Sequence, residues 1–183
     1  MVEEQTGRRE RGKTGWRAGG LLLLTALATL PASRAVAQLE AGIAVGSKAP
    51  VVVINDLEGV PVNLGSMLGT KPVLIQFWAT WCELCMSLLP QLETIQRTYG
   101  DRIALFGVNV TVNDSKARIR RYQDLHRPPY RVLFDDKGVA SRAYDVPTTS
   151  FVVVVDSSGK VAYTGVGSKQ DLVAAVAAVF KTP

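Results

Sequence analysis

PVLIQFWATWCELC, residues 72–85, carries an apolar run straight into the only two cysteines of a 183-residue chain. Its first half packs branched and aromatic side chains into seven positions (72–78) and reads as a short strand buried on both faces. From Cys82 onward the period changes: apolar residues at 84, 88, 89, 92 and 95 recur at helical spacing, and Gly100 ends the run. The expectation is one helix from Cys82 to Tyr99, kinked at Pro90 because the ring removes a backbone donor. A cysteine at the junction of a buried strand and a helix is the feature around which the rest is read.

Outward from that stretch, elements alternate. VVVIND (51–56) and VPVNL (60–64) form an opening hairpin across Leu57–Gly59. IALFGVNV (103–110) is a second buried strand, and Asn113 or Asp114 caps a helix running to about His126. RVLFDD (131–136) is extended, with a short helix near 138–144. FVVVVD (151–156) and KVAYTG (160–165) make a closing hairpin across Ser157-Ser158-Gly159. Leu172, Val173, Val176, Val179 and Phe180 then place an apolar stripe on a last helix. The order predicts an α/β domain: a central mixed sheet flanked by helices on both faces, with a right-handed crossover in its parallel part.

The N-terminal 37 residues differ in kind. Basic residues through Arg17 lead into AGGLLLLTALATLP, whose apolar core of about a dozen residues is short for a bilayer span. Ala35-Val36-Ala37 offers small residues at both cleavage-determining positions, so residues 1–37 are expected to be a signal peptide, 38–183 the domain, and Gln38 the mature start. The rival is an uncleaved membrane anchor. The formal charge is +5, but the first 37 residues hold six basic and three acidic groups, leaving fifteen basic against thirteen acidic in the domain. That near-neutral balance excludes the high pI as evidence for nucleic acid, and KARIRRY (116–122) reads as a solvated helix face. The domain is expected to work outside the cytoplasmic membrane, where disulfides persist.

The two cysteines could be a structural staple, half of a metal site, or an exchange pair. Residues at i and i+3 share a helix face, so Cys82 and Cys85 can reach disulfide distance. A staple closing so short a loop restricts the unfolded chain by only about 2 kcal/mol. A metal needs three or four ligands, and beyond the two thiols the chain has one histidine, His126, on another element. Exchange fits best. At a helix start, unpaired amides and the positive end of the dipole favour a thiolate. Cys82 is therefore expected to be the exposed attacking thiolate and Cys85 the more buried resolving thiol, with no cofactor beyond their disulfide.

These residues, with Pro90 five positions past the second cysteine, resemble the thioredoxin superfamily, and more closely its exported TlpA/ResA-like branch. GSKAPVVVINDLEGVPVNLGSMLGTKP (46–72) is similar to that branch's extra N-terminal hairpin segment, and 129–146 and 151–167 to its later segments. The resemblance implies a thioredoxin-like fold and thiol–disulfide oxidoreductase activity on protein disulfides in the cell envelope, for example in cytochrome c maturation or copper-centre assembly. It also implies a membrane thiol donor as recharging partner; a monomer is expected.

Departures from the branch are specific. Leu84 stands where many relatives have Pro. Gln76 takes the place of a buried acid and cannot act as a base. Leu88 replaces an acidic residue near the resolving thiol. Counting without gaps puts Ser150 at the family's cis-proline; sliding Pro147-Thr148-Thr149 onto the family's Pro-Thr-Thr makes Pro147 the equivalent instead, at the cost of two length changes. Thr149, before Ser150, would offer backbone groups to a substrate strand. Trp81 is expected to form an apolar rim that substrate covers, and Trp78 to be core. The rivals are a peroxiredoxin-type peroxidase, disfavoured by Ala79 where that class has Thr, a copper-handling module using Cys82, Cys85 and His126, and a binding domain with a vestigial disulfide.

Overall fold

The computed structural model describes residues 42–181; the expected signal peptide (1–37) and mature start at Gln38 lie outside the described residues. In chain order the strands are β1 (Val53–Asp56), β2 (Pro61–Asn63), β3 (Val73–Trp78), β4 (Ala104–Asn109), β5 (Arg131–Phe134), β6 (Phe151–Val155) and β7 (Val161–Gly165). The helices are α1 (Glu83–Met86), α2 (Leu89–Tyr99), α3 (Lys116–His126), α4 (Val139–Ala143) and α5 (Leu172–Lys181). The sheet order is β2-β1-β5-β4-β3-β6-β7. β3, β4 and β5 are parallel, whereas β1–β5, β1–β2, β3–β6 and β6–β7 are antiparallel pairs. Parallel neighbours need crossovers, and the helical segments α1–α2 and α3 supply them.

β3 is buried at all six positions because it lies between β4 and β6 with helices on both faces. Its alternation divides the core. Leu74 and Trp78 pack with Leu88, Leu92, Ile95, Val152, Leu172 and Val176 on one face, and Val73, Ile75 and Phe77 with Val108, Leu133, Tyr144 and Phe151 on the other. α5 closes the first face. Its apolar stripe is buried at Leu172, Val176 and Val179, and Phe180 stacks on Tyr99 with centroids 4.3 Å apart. Gln91 ties the two helices, accepting from the Leu172 amide at 2.7 Å and donating to the Gln170 carbonyl at 2.8 Å.

Two expectations about helix ends are corrected. The single kinked helix over 82–99 is two helices separated at Ser87–Leu88, with Pro90 in the first turn of α2. Proline has no N–H to give Met86, and its ring would crowd that carbonyl; at the second position of a helix neither fault matters. The cap of α3 is Ser115, whose Oγ accepts from the Arg118 amide at 3.3 Å, rather than Asn113 or Asp114. The basic face of α3 is partly tied to the chain itself: Lys116 and Arg120 both donate to the Leu57 carbonyl, at 2.9 and 3.3 Å.

Candidate functional site

β3 ends at Trp78 in the middle of the sheet, and Ala79–Trp81 carry the chain to Cys82. This connection is clamped by a carboxylate that sequence reasoning assigned to a helix cap. Asp114 accepts from the Thr80 amide at 2.8 Å and the Thr80 hydroxyl at 2.9 Å, while Asn109 Nδ2 donates to the same carboxylate at 2.8 Å. The Asn109 side-chain Oδ1 in turn accepts from the Thr111 amide at 2.9 Å. The approach to Cys82 is thus fixed to the end of β4. Nothing in the one-dimensional spacing announces a bond between positions 80 and 114.

Cys82 and Cys85 form a disulfide, with Cα atoms 5.3 Å apart. Cys82 is the N-cap of α1, and the Cys85 amide donates to Cys82 Sγ at 3.2 Å. Two expectations change here. The exposed Cys82 is in fact nearly covered, 5% accessible against 2% for Cys85. The helix it caps has four residues, so little macrodipole accumulates, and what the cap brings to Cys82 sulfur is the direct contact of the Cys85 amide.

What is exposed is the rim. Trp81 is 49% and Leu84 50% accessible, and Trp81 Nε1 donates to the Val112 carbonyl at 2.8 Å, which ties the indole to the neighbouring loop. Trp78 is fully buried, its ring 4.7 Å from Tyr122 and 5.8 Å from Tyr130. Burial pushes the Tyr122 phenol up to about 12 and that of Tyr130 well above its ordinary value, so both stay protonated at neutral pH. Leu88 is also fully buried. Gln76, buried on β3, donates from Nε2 to the Cys85 carbonyl at 3.2 Å.

A groove of about 880 Å³ is lined by Trp81, Val110 and Val112 together with Arg142, Asp145, Val146, Pro147, Thr148 and Thr149. Trp81, Pro147 and Thr149 are thereby brought together. Ser150 is not part of the lining: it is buried, and its bonds are internal. Its amide donates to the Phe77 carbonyl at 2.9 Å, its hydroxyl accepts from the Gly167 amide at 3.0 Å, and its carbonyl accepts from Gln170 Nε2 at 2.9 Å. Its φ is +63°. His126 packs on Tyr122 at the end of α3, and among the described residues no group of three or more His, Cys, Asp or Glu side chains is placed to hold a metal ion.

Comparison with known proteins places this geometry. Residues 44–179 match the Redoxin family. The chain is 31% identical to the thioredoxin-like protein YneN of Bacillus subtilis, over 84% of this chain and 90% of that one. It is 30% identical to the thiol-disulfide oxidoreductase ResA of Geobacillus thermodenitrificans, over 71% and 75%. Among solved structures, a Chlorobium tepidum protein provisionally assigned as the thiol:disulfide interchange protein DsbE superposes with a TM-score of 0.66 at 26% identity, over 75% of this chain and 98% of that one.

Proposed function

Since the chain belongs to the Redoxin family and is a thiol–disulfide oxidoreductase of the TlpA/ResA-like branch of the thioredoxin superfamily, we propose that Cys82 and Cys85 are its catalytic pair and that it works outside the cytoplasm as a reductant of protein disulfides. The observation that carries this reading is the covered Cys82–Cys85 disulfide at the start of α1, with half-exposed Trp81 and Leu84 beside it in the chain and Trp81 also lining the groove that holds Pro147–Thr149. A small-molecule disulfide has no need of such a rim; an extended cysteine-bearing segment of a partner protein does, because apolar cover excludes water from the exchanging sulfurs.

In the reduced protein, the Cys82 thiolate attacks one sulfur of the substrate disulfide. The substrate S–S bond breaks, its other sulfur leaves as a thiolate that takes a proton from solvent, and Cys82 is joined to the substrate. Cys85 then loses its proton and attacks Cys82 Sγ, the mixed disulfide opens, and the substrate departs with both electrons. Trp81, Pro147 and Thr149 are the proposed substrate contacts; Ser150 supports that loop from behind through its three internal bonds. A membrane thiol donor would restore the dithiol. Export rests on the basic stretch, apolar core and Ala-x-Ala site of residues 1–37; no helix among the described residues is long and apolar enough to cross a membrane.

The reduction potential of the Cys82–Cys85 couple, measured together with insulin-disulfide reduction by the reduced protein, tests this. A value below about −250 mV with insulin turnover is expected; a value near about −120 mV would make the protein an oxidant. Peroxide consumption as fast as insulin reduction would move it to the peroxidase class.

A further inference from the structure

Gln76 is a buried polar group that the mechanism above leaves unused. It sits at the centre of β3, paired with Gly107 on β4 and Val152 on β6, and is fully covered. Its Nε2 grips the Cys85 carbonyl at 3.2 Å, which fixes the amide's orientation: reversed, it would set oxygen against oxygen. Its Oε1 then has no donor among the described residues. Trp78 Nε1, a donor two residues on along the same face of β3, is likewise unpartnered and so does not serve it. A buried acceptor without a donor is unfavourable and calls for an explanation.

The disulfide state supplies one. Cys85 Sγ carries no hydrogen while it is bonded to Cys82, so it cannot donate. Reduction changes that. A dithiol reductant gives two electrons and two protons: its own sulfurs pair, the Cys82–Cys85 bond breaks, one proton stays on Cys85 Sγ, and the other passes to solvent when Cys82 remains a thiolate. We propose that Gln76 is a positioning residue for the resolving thiol, its Oε1 accepting the S–H that reduction places on Cys85. The amide then grips the residue at both carbonyl and sulfur. Because Gln does not ionise, it holds the Cys85 proton without removing it, and Cys85 stays a quiet thiol until a mixed disulfide forms on Cys82. This rests on the pair being the one that cycles.

The test uses the full chain. Gln76→Leu removes the acceptor and relieves the unpaired oxygen of the disulfide form, so equilibration with reduced and oxidised glutathione shifts toward the disulfide by about threefold to tenfold, the upper figure corresponding to about 30 mV. In the Cys82→Ser background the S–H stretching band of Cys85 is expected at the lowered frequency of a bonded thiol, moving to the free-thiol frequency when Gln76 becomes Leu. Gln76→Met, an unbranched chain of similar volume, carries the same measurement if the Leu variant does not fold. An S–H band at the same frequency with and without the amide overturns the proposal, whatever the equilibrium does. A wild-type disulfide that never equilibrates with glutathione strikes instead at the catalytic pair, and the band still decides the role of Gln76.

Discussion

Cys82→Ser is expected to lower kcat/KM for insulin-disulfide reduction by at least about three orders of magnitude, on the order of 4 kcal/mol of transition-state stabilisation. A serine hydroxyl at the same N-cap keeps the fold and accepts the same Cys85 amide, but at neutral pH it supplies no anionic sulfur to attack a disulfide. Cys85→Ser is expected to behave differently: attack survives, resolution does not, and the substrate accumulates as an adduct on Cys82. The contrast separates an exchange pair from a vestigial disulfide, since both substitutions abolish the cross-link equally. Reduced wild-type protein should also alkylate at Cys82 with iodoacetamide faster at pH 7 than glutathione does. If Cys82→Ser retained activity within tenfold, or if no adduct formed on the Cys85→Ser protein, the assignment of the pair would be abandoned.

The two halves of this site were not equally readable. The strand–cysteine–helix junction is local, and its pattern changes period within fourteen residues, so a buried strand running into a helix at the cysteines follows from spacing alone. The extent of the helix did not, because a proline at the start of one helix and a proline inside another look the same in apolar periodicity. Burial of Cys82 is hidden from the sequence for a related reason. Trp81 and Leu84 supply the exposed surface while Cys82 is covered; side-chain cover is a three-dimensional matter that a tetrapeptide does not encode. Local spacing offers Asn113 or Asp114 as the cap of α3, whereas the neighbouring Ser115 does that job and the Asp114 carboxylate reaches thirty-four residues back to Thr80. Local rules rank candidates within a turn; they are silent on which polar side chain a distant strand end will claim.

Ser150→Pro is expected to destabilise the domain by about 4 kcal/mol rather than restore a family feature, read as a lowered midpoint in denaturant with an unchanged slope. Gapless counting sets Ser150 on the proline of relatives, which invites the back-substitution. The backbone rejects it. Ser150 has φ +63°, and a proline ring holds φ near about −65°. Its amide is the donor to the Phe77 carbonyl at 2.9 Å, so proline would also strand a buried acceptor near the end of β3, the strand that leads to Cys82. Because β6 begins at the next residue, in register with Phe77, the displacement would pass directly into the β3–β6 pair. Ser150→Gly separates these causes. It keeps the amide and welcomes the positive φ, and loses only the hydroxyl that accepts from Gly167, so its cost should stay within about 1 kcal/mol. Insulin reduction should follow the same order, falling with Pro and surviving with Gly, since the groove wall at Pro147–Thr149 is anchored through Ser150. A Pro variant as stable and active as wild type would mean that this loop adopts another backbone in solution, and with it another substrate wall.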